Sequence, residues 1–169
     1  MFSINTTKKI VFAALLAALA CVATMIIKIP TPLGGYIHAG DAVVVLAGFL
    51  LGPVWGALAA GLGSALADVI SGYVLYAPGT FVIKAVVALL AGWIIGTKLI
   101  KNEFAKALVA GIIGGIVMVG GYMLYEAVFM GFGVGAAANI PMNCIQGAFG
   151  AVAGAALYIA LSKTNYFNK

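Results

Sequence analysis

Charged residues are scarce in this sequence, and arginine is absent. Only 8% of the 169 residues are charged, whereas 64% are hydrophobic and the mean hydropathy is +1.19. Soluble domains carry roughly 25% charged residues, because a folded surface has to be hydrated. The composition therefore excludes a soluble domain, and the long hydrophobic runs predict helices that cross a membrane.

Residues and motifs that bind metals, form disulfides or bind nucleotides are also scarce. The two cysteines, Cys21 and Cys144, lie inside hydrophobic runs, so we interpret them as small packing residues. The sequence has no Gly-x-x-x-x-Gly-Lys-Ser/Thr loop, no paired histidines and no Gly-x-Ser-x-Gly elbow. We therefore expect no metal, no cofactor and no enzymatic activity. The net charge of +5 comes from lysines between hydrophobic runs, which argues against nucleic-acid binding.

Glycine, proline and charged residues divide the hydrophobic runs into six predicted spans. They cover residues 10–29, 41–52, 54–72, 78–97, 106–129 and 137–161. The predicted fold class is an all-α integral membrane protein, a single six-helix domain over residues 1–169. The second run is shorter than the roughly 20 residues that a span needs, so that helix is either tilted or joined to the third at a break. A loop rich in proline and glycine is expected at residues 31–40.

The lysines predict the orientation of the bundle. They cluster before the first run, after the fourth and after the last, at Lys8, Lys9, Lys98, Lys101, Lys106, Lys163 and Lys169. Cytoplasmic segments of membrane proteins are enriched in Lys and Arg. With six spans these lysines all lie on one side, so both termini are expected in the cytoplasm.

Small residues recur at every fourth position of several predicted helices. In the last two helices they are Ala107, Gly111, Gly115, Gly147, Ala151 and Ala155. Helix backbones in lipid gain by approaching closely at such faces, so we interpret most of these stripes as internal packing. The first helix carries two adjacent pairs, which are Ala13 with Ala17 and Ala14 with Ala18. This alanine face suits either internal packing or the docking of another membrane subunit.

Polar side chains within the predicted spans lie mainly in the outer halves of the helices. An ionisable group inside a span costs roughly 2.5–3.5 kcal/mol, so each one requires an explanation. In chain order the polar residues are Asp41, Asp68, Lys84, Tyr122, Glu126, Asn139, Asn143 and Gln146. The three amides share one helix face, and the loop above them contains Tyr36 and His38.

We interpret this polar cluster as the site of a planar small molecule. Amides and aromatic rings provide a stacking surface together with fixed donors and acceptors. Two structural alternatives stay open. Lys84 would pair with Asp68 or Glu126 only to neutralise charge, and His38 would only pack against its neighbours in the loop.

Four segments of the sequence carry a resemblance to a known family. They are Tyr36-Ile37-His38-Ala39-Gly40-Asp41, Gly63-Ser64-Ala65-Leu66-Ala67-Asp68, Ala77-Pro78-Gly79-Thr80-Phe81-Val82-Ile83-Lys84 and Asn139-Ile140-Pro141-Met142-Asn143-Cys144-Ile145-Gln146-Gly147. In this order they resemble the substrate-capture (S) subunits of energy-coupling-factor (ECF) vitamin transporters. The riboflavin-type branch is the most similar, and it includes pyridoxine- and hydroxymethylpyrimidine-type members.

The resemblance implies a six-helix subunit of the prokaryotic plasma membrane that captures a vitamin on its outer side. It also implies a transmembrane coupling protein and two cytoplasmic ATPases as partners. The docking surface for the coupling protein corresponds to Ala13, Ala14, Ala17 and Ala18. The loop at residues 31–40 caps the pocket, and ligand contacts come from this loop and the last three helices.

The identity of the ligand is less well determined than its class. Trp55 and Trp93 lie towards the inner half of the predicted bundle, away from the polar cluster. A pyridine or pyrimidine ring is therefore favoured over the larger ring of riboflavin, with Lys84 or Glu126 contacting a hydroxyl group or ring nitrogen. The alternative is a small integral-membrane enzyme or a scaffold that uses the same polar cluster.

Overall fold

Six α-helices form the protein over the part of the chain that the structure describes, residues 6–164. In this computed structural model they are α1 Thr6–Ile26, α2 Asp41–Leu51, α3 Pro53–Ile70, α4 Ala77–Ile95, α5 Glu103–Leu124 and α6 Ile140–Ser162. A π-helical turn, Tyr125–Phe129, follows α5, and a 3-10 segment, Gly133–Asn139, precedes α6. Five of these six helices are long and apolar enough to cross a membrane.

The exception is α2, which lies inside the bundle. With 11 residues it is only about 16 Å long, roughly half the thickness of a bilayer core. All of its residues are buried, and it contacts α1, α3, α4 and α6. The break before α3 occurs at Gly52, whose φ of 79° suits glycine, and at Pro53 in the first turn of α3.

The first helix ends earlier than predicted, because the chain forms a hairpin. The segment Lys28–Pro30 (β1) pairs antiparallel with Tyr36–His38 (β2), so the predicted span to residue 29 is wrong at its end. A residue before proline avoids the helical conformation, which explains why Ile29 is extended ahead of Pro30. The all-α class therefore needs this two-stranded hairpin as an addition.

Helix contacts occur at the small residues, which confirms the packing interpretation for α5 and α6. Gly111 of α5 lies against Ala151 of α6, and Gly115 lies against Gly147. A Cβ atom at Gly111 would stand 2.6 Å from the Cα of Ala151, closer than any side chain tolerates. The two backbones therefore approach as closely as glycine allows.

Neighbouring helices alternate in direction, so the bundle has two chemically different ends. The pocket end is formed by the C-terminal ends of α1, α3 and α5, the N-terminal ends of α2, α4 and α6, and the hairpin. The lysine end is opposite and carries Lys8, Lys9, Lys98, Lys101, Lys106 and Lys163. The start of α1 and the end of α6 both lie at the lysine end, whereas Lys169 lies outside the described residues.

Candidate functional site

The polar residues predicted from the sequence meet at the pocket end, around one cavity. Its wall is formed by Thr31, Gly35, Tyr36, His38, Asp68, Tyr76, Thr80, Tyr122, Glu126, Asn143 and Gln146. The space between these side chains is about 20 Å³, enough for one water-sized molecule. Small-molecule pockets typically measure about 300–1,000 Å³, so a vitamin requires this cavity to enlarge.

Seven of the ten predicted site residues line the cavity, and three lie behind its wall. The three are Asp41, Lys84 and Asn139, all of them buried. The amide of Asn143 makes no hydrogen bond to the described residues, so it is available to a molecule in the cavity. Among residues 6–164, no group of three His, Cys, Asp or Glu side chains is placed to bind a metal ion.

Lys84 forms an ion pair with Asp41, and this differs from the predicted pairing. The structural alternative named Asp68 or Glu126 as the partner of Lys84. The partner is Asp41 instead, because α2 lies beside α4 and brings the Asp41 carboxylate to the ammonium group. The Lys84 side chain is 0% exposed, and its Nζ lies 5.2 Å from the centre of the Tyr122 ring. Gln146 donates from Nε2 to the second oxygen of Asp41 at 2.8 Å. A buried charge in this position has its counterion and its hydrogen bonds supplied by the protein.

Asp68 and Glu126 face the cavity and differ from Asp41, because neither forms an ion pair with a described residue. Tyr36 donates from its hydroxyl group to Asp68 Oδ1 at 2.6 Å. Glu126 Oε1 accepts from the Tyr76 hydroxyl at 3.1 Å and from Asn139 Nδ2 at 2.8 Å. The second oxygen of each carboxylate is buried and has no hydrogen-bond partner among the described residues. No ion pair compensates either group within residues 6–164.

The hairpin covers the cavity and is attached to the helices by hydrogen bonds. The backbone N–H of His38 donates to Gln146 Oε1 at 2.9 Å, and the N–H of Leu33 donates to Asn139 Oδ1 at 3.3 Å. The hydrogen bond from Tyr36 to Asp68 adds a third attachment. These three hydrogen bonds connect the hairpin to α3, to α6 and to the 3-10 segment before α6.

His38 packs within the hairpin as a neutral residue. Its Nδ1 accepts a hydrogen bond from the N–H of Gly40 at 3.1 Å. Burial and the positive charge of Lys84 lower the pKa of His38 to about 3. The structure thus agrees with the packing alternative, although the ring also forms part of the cavity wall.

Four cavity residues were not among the predicted site residues, although two of them lie in the loop expected to cap the pocket. They are Thr31 and Gly35 in that loop, and Tyr76 and Thr80 outside it. A signal for two of them was present, since Tyr76, Thr80 and Lys84 are spaced by four residues and share one face. The Thr80 and Tyr122 hydroxyl groups lie 2.9 Å apart. Tyrosine also supplies the aromatic surface that the tryptophans do not.

The two alanine pairs of α1 differ in position. Ala13 and Ala17 pack against the core, and the backbone of Ala17 directly contacts Gly63 of α3. Ala14 and Ala18 are exposed on the surface of the bundle. Only the second pair therefore provides an accessible small-residue face.

Comparisons with known proteins agree with the resemblance based on the four segments. The protein-family model described as "ECF-type riboflavin transporter, S component" matches residues 4–163. A protein of Pyrococcus woesei, "Uncharacterized protein in gap 3'region", is 40% identical over 144 residues, which cover 84% of this chain and 93% of that protein. A solved structure described as "Structure and mechanism of the S component of a bacterial ECF transporter" is 26% identical, with a TM-score of 0.72, and the match covers 98% of this chain and 100% of that one.

Proposed function

Because this chain belongs to the family of ECF-type riboflavin transporter S components, we propose that it captures a heterocyclic vitamin or vitamin precursor in the cavity at the pocket end. Members of this family are multi-pass proteins of the plasma membrane that bind the substrate of a transporter, and they are not enzymes. One observation supports the location above all: polar side chains from α3, α4, α6, the π-turn and the hairpin converge on a single cavity.

The proposed substrates are riboflavin, which the family description names, and the smaller pyridoxine- or hydroxymethylpyrimidine-like rings. The argument from the tryptophans favoured the smaller rings. Tyr36, Tyr76 and Tyr122 nevertheless provide aromatic surface in the cavity wall. Both ring sizes therefore belong in the panel of test ligands.

Ligand entry in this proposal requires the hairpin to move. The space of about 20 Å³ is far smaller than any of these molecules. Three hydrogen bonds hold the hairpin, each worth about 0.5–1.5 kcal/mol, and hydrogen bonds to a ligand replace part of this energy. In this proposal the cavity becomes large enough for the ligand when the segment at residues 31–40 moves away from the helices.

We propose the orientation that the lysines predict, with the pocket end outside and the lysine end in the cytoplasm. The hairpin then covers the cavity on the side from which a nutrient arrives. Accessibility labelling of single cysteines, introduced after Cys21 and Cys144 are replaced by alanine, tests this arrangement, with Thr97→Cys at the lysine end and Ser71→Cys at the pocket end. Labelling of Thr97→Cys from outside intact cells would reverse the assignment.

The proposed partners are a transmembrane coupling protein and two cytoplasmic ATPases. Ala14 and Ala18 are the docking surface that remains after Ala13 and Ala17 pack internally. We expect Ala18→Trp to retain ligand binding and abolish uptake in cells that contain the whole transporter. Ile116→Trp, at a 67% exposed position of α5, is the matched control and should leave uptake unchanged. Equal uptake by the two variants would remove the alanine surface from the proposal.

Ligand binding is tested by native mass spectrometry of the purified protein, followed by fluorescence titration with the panel. Stoichiometric binding without turnover supports a capture subunit, whereas turnover would indicate an enzyme. Asn143→Ala should weaken binding by about 1–3 kcal/mol, because a buried amide loses its ligand contact. Cys144→Ala, the exposed neighbour on α6, is the control and should bind as the wild type does.

The second candidate function is a membrane scaffold, and the small volume of the cavity favours it. In a scaffold, the polar network would only stabilise the bundle, and no heterocycle would bind at any concentration. Failure of every vitamin in the panel to bind would support the scaffold over the capture subunit.

A further inference from the structure

The ionisable side chains around the cavity are not all paired. Lys84 is the one cationic side chain buried at the pocket end among the described residues, and Asp41 already neutralises it. His38 is uncharged, because burial lowers its pKa to about 3. The carboxyl groups of Asp68 and Glu126 remain in the cavity wall, and neither has an ion-pair partner among the described residues.

Both carboxylates have an oxygen atom that is available to a ligand. Asp68 is only 4% exposed and Glu126 only 2%. In each, a tyrosine hydroxyl donates to one oxygen, and the other oxygen has no partner among the described residues. The Thr80 hydroxyl lies near the Asp68 carboxylate, although its hydrogen bond is to Tyr122. A buried acceptor without a donor is costly and rare in folded proteins, which indicates that a molecule in the cavity supplies the donor.

The described wall also lacks the basic side chains that usually bind an anionic ligand. A phosphate group is normally bound by Arg or Lys side chains or by the N–H groups of a helix N-terminus. The described cavity wall contains neither lysine nor arginine. Thr80 and Asn143 bring the first turns of α4 and α6 to the wall, but in their ionised form the carboxyl groups of Asp68 and Glu126 would repel a phosphate in this region of low dielectric constant. A basic nitrogen that carries N–H groups has the opposite properties, because it offers both donors and positive charge.

We propose that the cavity selects heterocycles that present N–H donors on a basic nitrogen to Asp68 and Glu126, and that it rejects phosphorylated forms of the same rings. This inference rests on the proposed function, since it names the chemical class of the ligand captured at that site. It predicts that an aminopyrimidine binds more tightly than a ring of similar size that has only hydroxyl groups.

The test uses two substitutions that replace the carboxylate oxygen that has no hydrogen-bond partner among the described residues, in Asp68 and in Glu126. In Asp68→Asn and Glu126→Gln the amide oxygen still accepts the tyrosine hydrogen bond, and an NH₂ donor replaces the second oxygen. The probes are 4-amino-5-hydroxymethyl-2-methylpyrimidine, pyridoxine, riboflavin and the monophosphate of each. Isothermal titration of the purified full chain measures each affinity, and Ser64→Ala, at a buried hydroxyl one turn from Asp68 and outside the cavity wall, is the control.

We expect the wild type and Ser64→Ala to bind the aminopyrimidine most tightly and to bind each monophosphate at least about 100-fold more weakly than its parent. Each amide variant should lose about 10- to 100-fold in affinity for the aminopyrimidine, because a charge-assisted hydrogen bond is lost. Its ligand-free melting temperature should be equal to or higher than that of the wild type, which separates lost recognition from misfolding.

Two results would overturn the inference while leaving the proposed function intact. One is wild-type binding of a vitamin with no preference for the basic nitrogen or against the phosphate. The other is wild-type affinity for the aminopyrimidine in both amide variants. Absence of binding by every probe would instead contradict the proposed function itself.

Discussion

The pocket end and the lysine end of the bundle are stabilised in different ways. At the pocket end, buried side chains make hydrogen bonds and an ion pair between helices that are far apart in sequence, such as Asp41 with Lys84 and Asp41 with Gln146. At the lysine end the charges are mostly at the surface, and α5 meets α6 through glycine and alanine. The comparison suggests that close backbone packing holds the bundle together, while the costly polar groups are concentrated where a ligand can use them.

The largest difference between the ends is expected for their ion pairs. Lys84→Ala leaves the Asp41 carboxylate buried without a counterion, which should lower the free energy of unfolding by about 3–5 kcal/mol. Lys106→Ala is the control at the lysine end, where the partner Glu103 is 53% exposed and remains hydrated. We expect a loss of less than about 1 kcal/mol there. Thermal unfolding in one detergent compares the two, and equal losses would contradict the contrast between the ends.

A companion variant separates the missing charge from the missing side chain. In the double variant Asp41→Asn, Lys84→Met both members of the pair are neutral and of similar size. Most of the stability lost in Lys84→Ala should return, because no uncompensated charge remains. A double variant as unstable as the single one would indicate that the side-chain volume of Lys84 matters more than its charge.

The close packing towards the lysine end should be the next most sensitive feature. Gly111→Leu places a side chain where the backbone of Ala151 lies, so the free energy of unfolding should fall by up to about 3 kcal/mol through overpacking. Gly120 is the matched position on the same helix, where an added Cβ atom would have no neighbour within 4 Å. Gly120→Ala should leave stability unchanged or raise it slightly. The comparison weakens if both glycines tolerate substitution equally.

The hairpin at the pocket end should respond to acid through His38. Its pKa of about 3 in the folded protein is below the usual value of about 6.5, so the neutral form is the one that folding favours. The stabilisation is complete above about pH 6.5 and is lost as the pH falls towards 3. At pH 5 the loss amounts to about 2 kcal/mol.

His38→Asn provides the reference, because asparagine does not titrate while all carboxyl groups still do. The wild type should therefore lose about 2 kcal/mol more than the variant between pH 7 and pH 5. Parallel pH dependence of the two proteins in chemical unfolding would show that the ring is already accessible to protons in the folded state.

The sequence predicts the bundle and the polar cluster well, because both follow from local patterns. Hydrophobic runs locate the helices, and the spacing of Asn139, Asn143 and Gln146 places three amides on one face. Tyr125 shows the limit of local patterns, because it is adjacent to Glu126 in the sequence but does not line the cavity. In the structure its hydroxyl donates to the carbonyl oxygen of Leu75, outside the cavity wall.

Two other features depend on contacts between distant segments, and local patterns do not contain them. Asp41 pairs with Lys84 only because α2 is enclosed by its neighbours and faces α4, and hydrophobic length alone does not reveal that enclosure. The hairpin has only three residues in each strand, too few for an alternating pattern, and Pro30 ends its first strand. Both features determine how the cavity is covered, so the site is less predictable than the fold that carries it.

The smallest expected effect concerns the attachment of the π-helical turn after α5 to the loop before α4 at the pocket end. Tyr125→Phe removes the hydrogen bond to Leu75, which has a length of 2.7 Å, and should cost about 1 kcal/mol of stability. Tyr158 at the lysine end packs against Phe49 with 5.3 Å between ring centres, and its hydroxyl makes no hydrogen bond to residues 6–164. Tyr158→Phe should therefore leave the unfolding transition unchanged. If the two phenylalanine variants have the same melting temperature, the Tyr125 hydroxyl contributes nothing to stability. Ring packing alone would then account for the contribution of both tyrosines.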